Sequence, residues 1–277
     1  MFRSEGSLML AHREDLGAAQ RVLERLRTAC ETQAWQNLSP PEGVQPLELA
    51  RLRELEPALQ GPAHAWLLPG EGQLDAVAMM MALHDDSPGA QWHWSRPVRC
   101  VEENGTLHFA DGGQAAFDAV IDTRGVGAQA SRQGACASAS PVFDVRGVRG
   151  EVIWLQAPAH GLTRLTRLLH PRHGVYIVPR SPDLLLIGAS ELETEDRSPA
   201  SLRSTVELLA AAHSAMPALA EARILRLDVN LRPALPDNNP CTEWRGRCLR
   251  INGLFRHGWL LAPALTEQAM QLTGWLK

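Results

Sequence analysis

LRLDVNLRPALPDNNP (Leu225–Pro240) and CLRINGLFRHGWLLAPAL (Cys248–Leu265), separated by a short insert, decide how this chain is read. Two arginines, Arg232 and Arg256, sit in runs that otherwise look buried. A guanidinium taken out of water without an anion to meet it costs several kcal/mol, so each needs a carboxylate, a phosphate or solvent. Arginine also grips a carboxylate with two parallel hydrogen bonds. From Gly258 a helical pattern runs to Trp275. A glycine turn opening a helix lets backbone N–H groups and the positive helix end approach an anion. The stretch is a candidate anion pocket.

The same residues carry a resemblance. Leu231-Arg232-Pro233, then Gly253 through Gly258, then Leu261-Ala262-Pro263 resemble the C-terminal signature of the D-amino-acid-oxidase superfamily of flavoproteins, and within it the glycine oxidases of thiamine biosynthesis. Arg146 to Glu151, Val175 to Arg180 and Leu185 to Ala189 fit the same family in the same order. So do Leu55-Glu56-Pro57, Ala65 to Pro69 and Gly72 to Asp75. The family's opening strand, GxGxxG turn and helix hold the FAD pyrophosphate. That fingerprint is absent: the GxG at Gly125-Val126-Gly127 has no third glycine in place. On this reading roughly a hundred residues, one mononucleotide-binding half, are not in the sequence.

The resemblance implies a mixed α/β fold, with an incomplete Rossmann-like FAD-binding domain and an antiparallel-sheet substrate or cap domain. The expected divisions are residues 1–149 (cap helices and part of the FAD-binding domain), 150–227 (antiparallel sheet with one helix) and 228–277 (C-terminal FAD-binding segment). It also implies roles. Arg232 would clamp the substrate carboxylate, Tyr176 would stand beside that carboxylate, and Arg256 would add positive charge near the flavin. Gly125, Gly253, Phe255, His257, Gly258, Trp259 and Leu260 would contact FAD. Glycine or another small amino acid would be oxidised to an imine or 2-oxo acid with hydrogen peroxide, in connection with thiazole synthesis. The alternative is a non-catalytic remnant, or a partner subunit beside a separate flavin-binding chain; a homo-oligomer is also open. Read without the family, Arg232 fits an ion pair with Asp228 or Asp237, Tyr176 a core aromatic, Arg256 a solvated turn and Gly125 a tight turn after a strand.

Composition narrows the field. The chain has 277 residues, 45% hydrophobic and 21% charged, enough for one large or two small domains. A net charge of −4 with scattered arginines leaves no footprint for nucleic acid. Five cysteines without a CxxC argue against a disulfide framework or zinc site and suit a reducing cytoplasm. No metal site is expected. The N-terminus lacks an export h-region, and no run reaches the roughly 18 apolar residues that span a bilayer. Serines at 131, 138 and 140 lack the G-x-S-x-G elbow of a hydrolase.

Periodicity supplies local structure. Arg13 to Gln33 should be a helix with Leu16, Ala19, Val22, Leu23, Leu26 and Ala29 on one face. Pro46 to Leu55 should be a second, stopped before Pro57. A third runs from an Asp75 cap to His84, its methionines filling core in preference to walling a cofactor. Ser198 to Ala212 should be a helix capped by Ser198, with Leu202, Val206, Leu209 and Ala210 inward. Short strands separated by turns fill Gly150 to Ile187.

Overall fold

The computed structural model describes residues 2–31, 43–133, 143–169 and 174–275. The chain folds as two units. The first comprises Met1–Asp86, Gly150–Glu191 and Ser198–Val229; the second comprises Ser87–Arg149, Leu192–Arg197 and Asn230–Lys277. The chain is mixed α/β, as its sequence predicts.

Most of the first unit's strands belong to an eight-stranded sheet formed by β2 (Ser7–Ala11), β3 (Gln45–Leu47), β4 (His64–Leu68), β10 (Arg146–Gln156), β11 (Leu165–Leu169), β12 (Gly174–Ser181), β13 (Leu184–Gly188) and β14 (Arg223–Ala234); the first residues of β10 and the last of β14 are counted with the second unit. The order is β14-β10-β13-β12-β11-β2-β4-β3. Strand β2, Ser-Leu-Met-Leu-Ala, is an inner strand, paired parallel with β11 on one side and antiparallel with β4 on the other, and it is buried at every position, so both of its faces are covered. A strand covered on both faces has no reason to alternate, and this one does not. Leu8, Leu10, Leu52, Ile153, Ile177 and Ile187 are among the core residues that α2 (Leu49–Leu55) and α4 (Leu202–Ala215) help to cover.

Several local expectations hold. Helix α1 (Leu16–Glu31) buries Ala19 and partly buries Leu16, Val22, Leu23 and Leu26. Helix α3 (Ala76–Asp85) is capped by Asp75, whose side chain accepts from the Ala78 amide at 3.0 Å. Others are corrected. Pro46 lies in the edge strand β3, where its missing N–H disturbs no inner ladder, so α2 begins only at Leu49. The cap of α4 is Ser201, whose Oγ accepts from the Ser204 amide at 3.1 Å, and the buried face is Ser204, Leu208, Ala212 and Ala215. Leu202, Val206 and Ala210 are exposed, while Leu209 is partly buried against the core. The methionine stripe of α3 is not core: Met80 and Met81 are exposed. Cys100 is disulfide-bonded, against the expectation of no disulfide, while Cys241 and Cys248 are free thiols. Ser138 and Ser140 lie outside the described residues.

The second unit carries two three-stranded sheets. One joins β6 (Val98–Val101), β7 (Thr106–Phe109) and β8 (Gln114–Ala116) as an antiparallel meander, turned at Asn104 and Gly105. The other has the order β15-β16-β9 (Cys241–Arg245, Cys248–Asn252 and Val120–Asp122), with β16 antiparallel to β15 and parallel to β9. Helix α5 (Gly258–Thr273) follows β16, and Trp275 beyond its end meets Trp244 edge to face at 5.5 Å. Gly274, at φ +73°, supplies the left-handed residue that ends the helix.

Candidate functional site

Parallel strands β9 and β16 end side by side, and the turns leaving them meet. In open sheets of this kind ligands bind in the crevice beyond the carboxyl ends of parallel strands. The link is Asn252, a nearly buried side chain that donates through Nδ2 to the Gly125 carbonyl at 3.0 Å and accepts from the Gly253 amide at 2.7 Å. Sequence reasoning does not single out Asn252. Its only signal is a lone amide at the end of an apolar run, just before a glycine.

Both glycines adopt positive φ, +58° at Gly125 and +79° at Gly253. The space around them is tight. A Cβ on Gly253 would lie 2.5 Å from Leu235 Cγ, and one on Gly125 would lie 3.3 Å from Pro233 Cγ. The Gly253 turn is fastened to β14, because the Phe255 amide donates to the Pro233 carbonyl at 3.0 Å. Phe255 itself is held at φ +47°, a left-handed conformation that costs a non-glycine residue about 1–2 kcal/mol and recurs at ligand sites. Arg232 and Arg256 each sit one residue from the two ends of this bond, Arg232 partly buried and Arg256 exposed. Two segments far apart in sequence thereby present their arginines at one seam of the second unit.

Helix α5 begins at that seam. The His257 amide donates to Leu254 O and the Leu261 amide to His257 O, while no side chain caps the first turn and no acidic residue lies in it. The N–H groups of Gly258, Trp259 and Leu260 therefore lack intrahelical acceptors, and the positive helix end is open to an anion or a polarised ring. A Cβ on Gly258 would meet only open space, and Leu260 is 77% exposed. An exposed apolar residue beside unsatisfied amides suits a flat, partly polar group.

Asp122-Thr123-Arg124 closes strand β9 and leads into the Gly125 turn, and an ion pair within it fixes the chain there. Arg124 holds Asp122 with two 2.8 Å hydrogen bonds and donates through Nη1 to the Val98 and Arg99 carbonyls. The pair ties the turn before Gly125 to β6. Burial pushes the Asp122 carboxyl up, but hydrogen bonding and charge from Arg124 outweigh it and hold the pKa below the usual carboxylate range. Stability from this pair is therefore complete above pH ~4 and is lost as pH falls through the depressed value. We expect Asp122→Asn to lower stability by about 3 kcal/mol at neutral pH. The gap from the parent should close as pH drops below the ordinary carboxylate range, which denaturant melts across pH will show; a gap constant with pH would count against the pair.

Tyr176 belongs to the first unit. It lies on β12 opposite Gly188 of β13, and its hydroxyl would be 2.8 Å from a Cβ built there, so Gly188 leaves room for the phenol ring. Tyr176 is half-buried, at neither a fully packed nor an open position. The two carboxylates that the sequence offers as partners of Arg232 have other bonds: Asp228 accepts from Trp154 Nε1 at 2.8 Å and Arg226 Nε at 3.0 Å, and Asp237 from the Asn239 amide at 3.0 Å. Among the described residues no group of three or more His, Cys, Asp or Glu could hold a metal, and no helix is long and apolar enough to cross a membrane.

This is the strand-end site of a flavin-type oxidoreductase fold. Residues 1–272 match the family model described as FAD dependent oxidoreductase, and the chain belongs to that family. It is 36% identical over 264 residues to the thiamine biosynthesis oxidoreductase ThiO of Rhizobium etli, covering 95% of this chain and 70% of that protein. It is 31% identical over 268 residues to the glycine oxidase of Geobacillus kaustophilus, covering 90% and 68%. The crystal structure of that glycine oxidase superposes with a TM-score of 0.75, covering 95% of this chain and 69% of that one. FAD is the cofactor of this family. The Gly125–Asn252–Gly253 cradle and the open start of α5 fit the ring end of such a group.

Proposed function

We propose that the chain oxidises a small amino acid, glycine foremost, in the service of thiamine biosynthesis. The similarity across residues 1–272 favours this over a non-catalytic remnant. The observation that carries the proposal is the backbone bond between Phe255 and Pro233, which sets Arg232 and Arg256 at one seam beside the open start of α5.

When bound, FAD supplies the acceptor for the hydride leaving the substrate α-carbon and later passes both electrons to dioxygen, giving hydrogen peroxide. The residues of this chain supply orientation. Arg232 would take the substrate carboxylate in a bidentate grip. Arg256 keeps the local potential positive, which favours a carboxylate-bearing substrate over a neutral amine. The amides of Gly258, Trp259 and Leu260 would hold the ring end of the flavin, where preorganised N–H dipoles favour gain of negative charge. Gly125 and Gly253 let their turns pack closely on Pro233 and Leu235, and Phe255 and His257 would contact the group from the turn that follows. The amine loses its proton before the α-C–H is broken; loss of hydride then leaves an imine, and water converts this to glyoxylate and ammonia. No metal is required.

The experiment is to purify the chain, add FAD and record the visible spectrum with glycine-dependent peroxide release. A yellow protein that releases peroxide with glycine, and more slowly with bulkier amino acids, is expected. A yellow protein inert to every small amino acid would remove the substrate assignment, and a colourless one would remove the oxidase reading for the isolated chain.

A further inference from the structure

A cleft in the first unit has the donors and acceptors for a ligand of its own. It is lined by Arg3, Gln73, Leu74, Asp75, Pro179 and Arg180. Its walls come from three places. Strands β1 (Phe2–Arg3) and β5 (Gln73–Leu74) pair with Arg3 opposite Gln73. Asp75 caps α3. Strand β12 shifts register between Pro179 and Ser181, and at this irregularity Arg180 donates through Nη1 to the Leu74 carbonyl at 2.9 Å.

Two polar atoms in that wall have no partner and no solvent: Arg180 Nε, a donor, and Gln73 Oε1, an acceptor. An unmet buried polar group is costly, and native structures leave few of them without a reason. The other end of the Gln73 amide is engaged with the Thr163 carbonyl at 3.4 Å, which orients Oε1 as the remaining acceptor. One water could answer either atom singly. The surrounding charges ask for more, since guanidinium groups of Arg3 and Arg180 line the same cleft as the Asp75 carboxylate. A ligand complementary to this wall carries an anionic acceptor and a cationic N–H donor a few ångströms apart. The cleft volume of about 60 Å³ holds roughly four to six waters at ~10–15 Å³ each, the size of the smallest amino acids. A second cavity of about 370 Å³ shares Arg3 and Pro179 as walls and adds Leu162 and Pro182, so a modest side chain has somewhere to go.

We propose that this cleft binds the zwitterion of a small amino acid, its carboxylate on Arg180 and Arg3 and its ammonium on Gln73 Oε1 and Asp75. Arg180 lies four residues along β12 from Tyr176, roughly 13 Å at ~3.3 Å per residue, so a ligand held here is not the one Tyr176 would touch. The assignment does not rest on the oxidase reading, because binding is measurable without turnover.

The test is titration calorimetry of glycine, acetate and methylamine into the full chain carrying Arg232→Ala, which removes the proposed carboxylate clamp of the second unit. Glycine should still bind, at least tenfold more tightly than acetate or methylamine, because each of these meets only one end of the cleft. Adding Arg180→Gln, or separately Gln73→Leu, should weaken glycine at least tenfold while acetate changes only with Arg180→Gln. Two variants on different elements keep the test decisive should one fail to fold. Undiminished glycine affinity in the folded variants, or no glycine binding in the Arg232→Ala chain, would overturn the proposal. Acetate binding as tightly as glycine would overturn the zwitterion and leave a plain anion site.

Discussion

Arg232→Ala is expected to raise the glycine KM by about a hundredfold or more and to leave the flavin spectrum unchanged. Removing one partner of a desolvated charge pair costs ~2–5 kcal/mol, and every ~1.4 kcal/mol is tenfold in affinity. The effect should fall mainly on KM, because a carboxylate remote from the breaking C–H bond is held alike before and during reaction. Arg232→Lys should recover only part of the loss, since an ammonium cannot reproduce the two parallel bonds of the planar fork. Steady-state oxygen uptake at varied glycine, with the visible spectrum as the control for cofactor, makes the measurement. An unchanged KM would remove Arg232 from the substrate site and return it to the structural ion pair that its neighbours Asp228 and Asp237 made a fair alternative.

Gly253→Ala should be strongly damaging to the second unit. The added Cβ would fall 2.5 Å from Leu235 Cγ and 2.8 Å from Leu235 Cδ1, and φ is +79°. The left-handed conformation costs a non-glycine residue about 1–2 kcal/mol, and overpacking adds about 1–3 kcal/mol. Leu235 is buried, so it has little room to retreat. We expect a loss of about 2–5 kcal/mol, measured by denaturant melts, together with loss of bound flavin, because the turn that carries Phe255 must shift. Leu235→Ala added to Gly253→Ala separates the two causes. It should relieve the overlap but leave the φ penalty, so the double variant should be more stable than the two single losses added together. Strict additivity would show that no overlap exists.

Part of the candidate site was legible in one dimension because it is local. The Gly253 to Gly258 turn and the helix start after it are set by residues within a few positions of each other, and a positive φ asks for glycine wherever it falls. The same holds for the stripe of α1, the Asp75 cap and the turn at Asn104 and Gly105. Family resemblance carried the cofactor, which no spacing in this chain specifies, since the phosphate fingerprint is absent.

What the tertiary structure decided is how distant segments are joined. Asn252 reaches Gly125 across 127 positions, and Arg124 reaches the Val98 carbonyl across 26, links that no periodicity encodes. The run Gly6 to Ala11 reads as a short strand, and β2 is one, but its parallel place beside β11, more than 150 residues away, is set only by the tertiary structure. The start of α4 falls at Ser201, whose amide donates to the buried Glu151 carboxylate at 3.1 Å; Ser198 is as good a cap by type. Caps, turns and periodic faces follow from the sequence because their energies are fixed over a turn or two of backbone. Register, and the choice between equivalent caps, follow only when a remote partner arrives to satisfy one buried polar group and leave another to solvent.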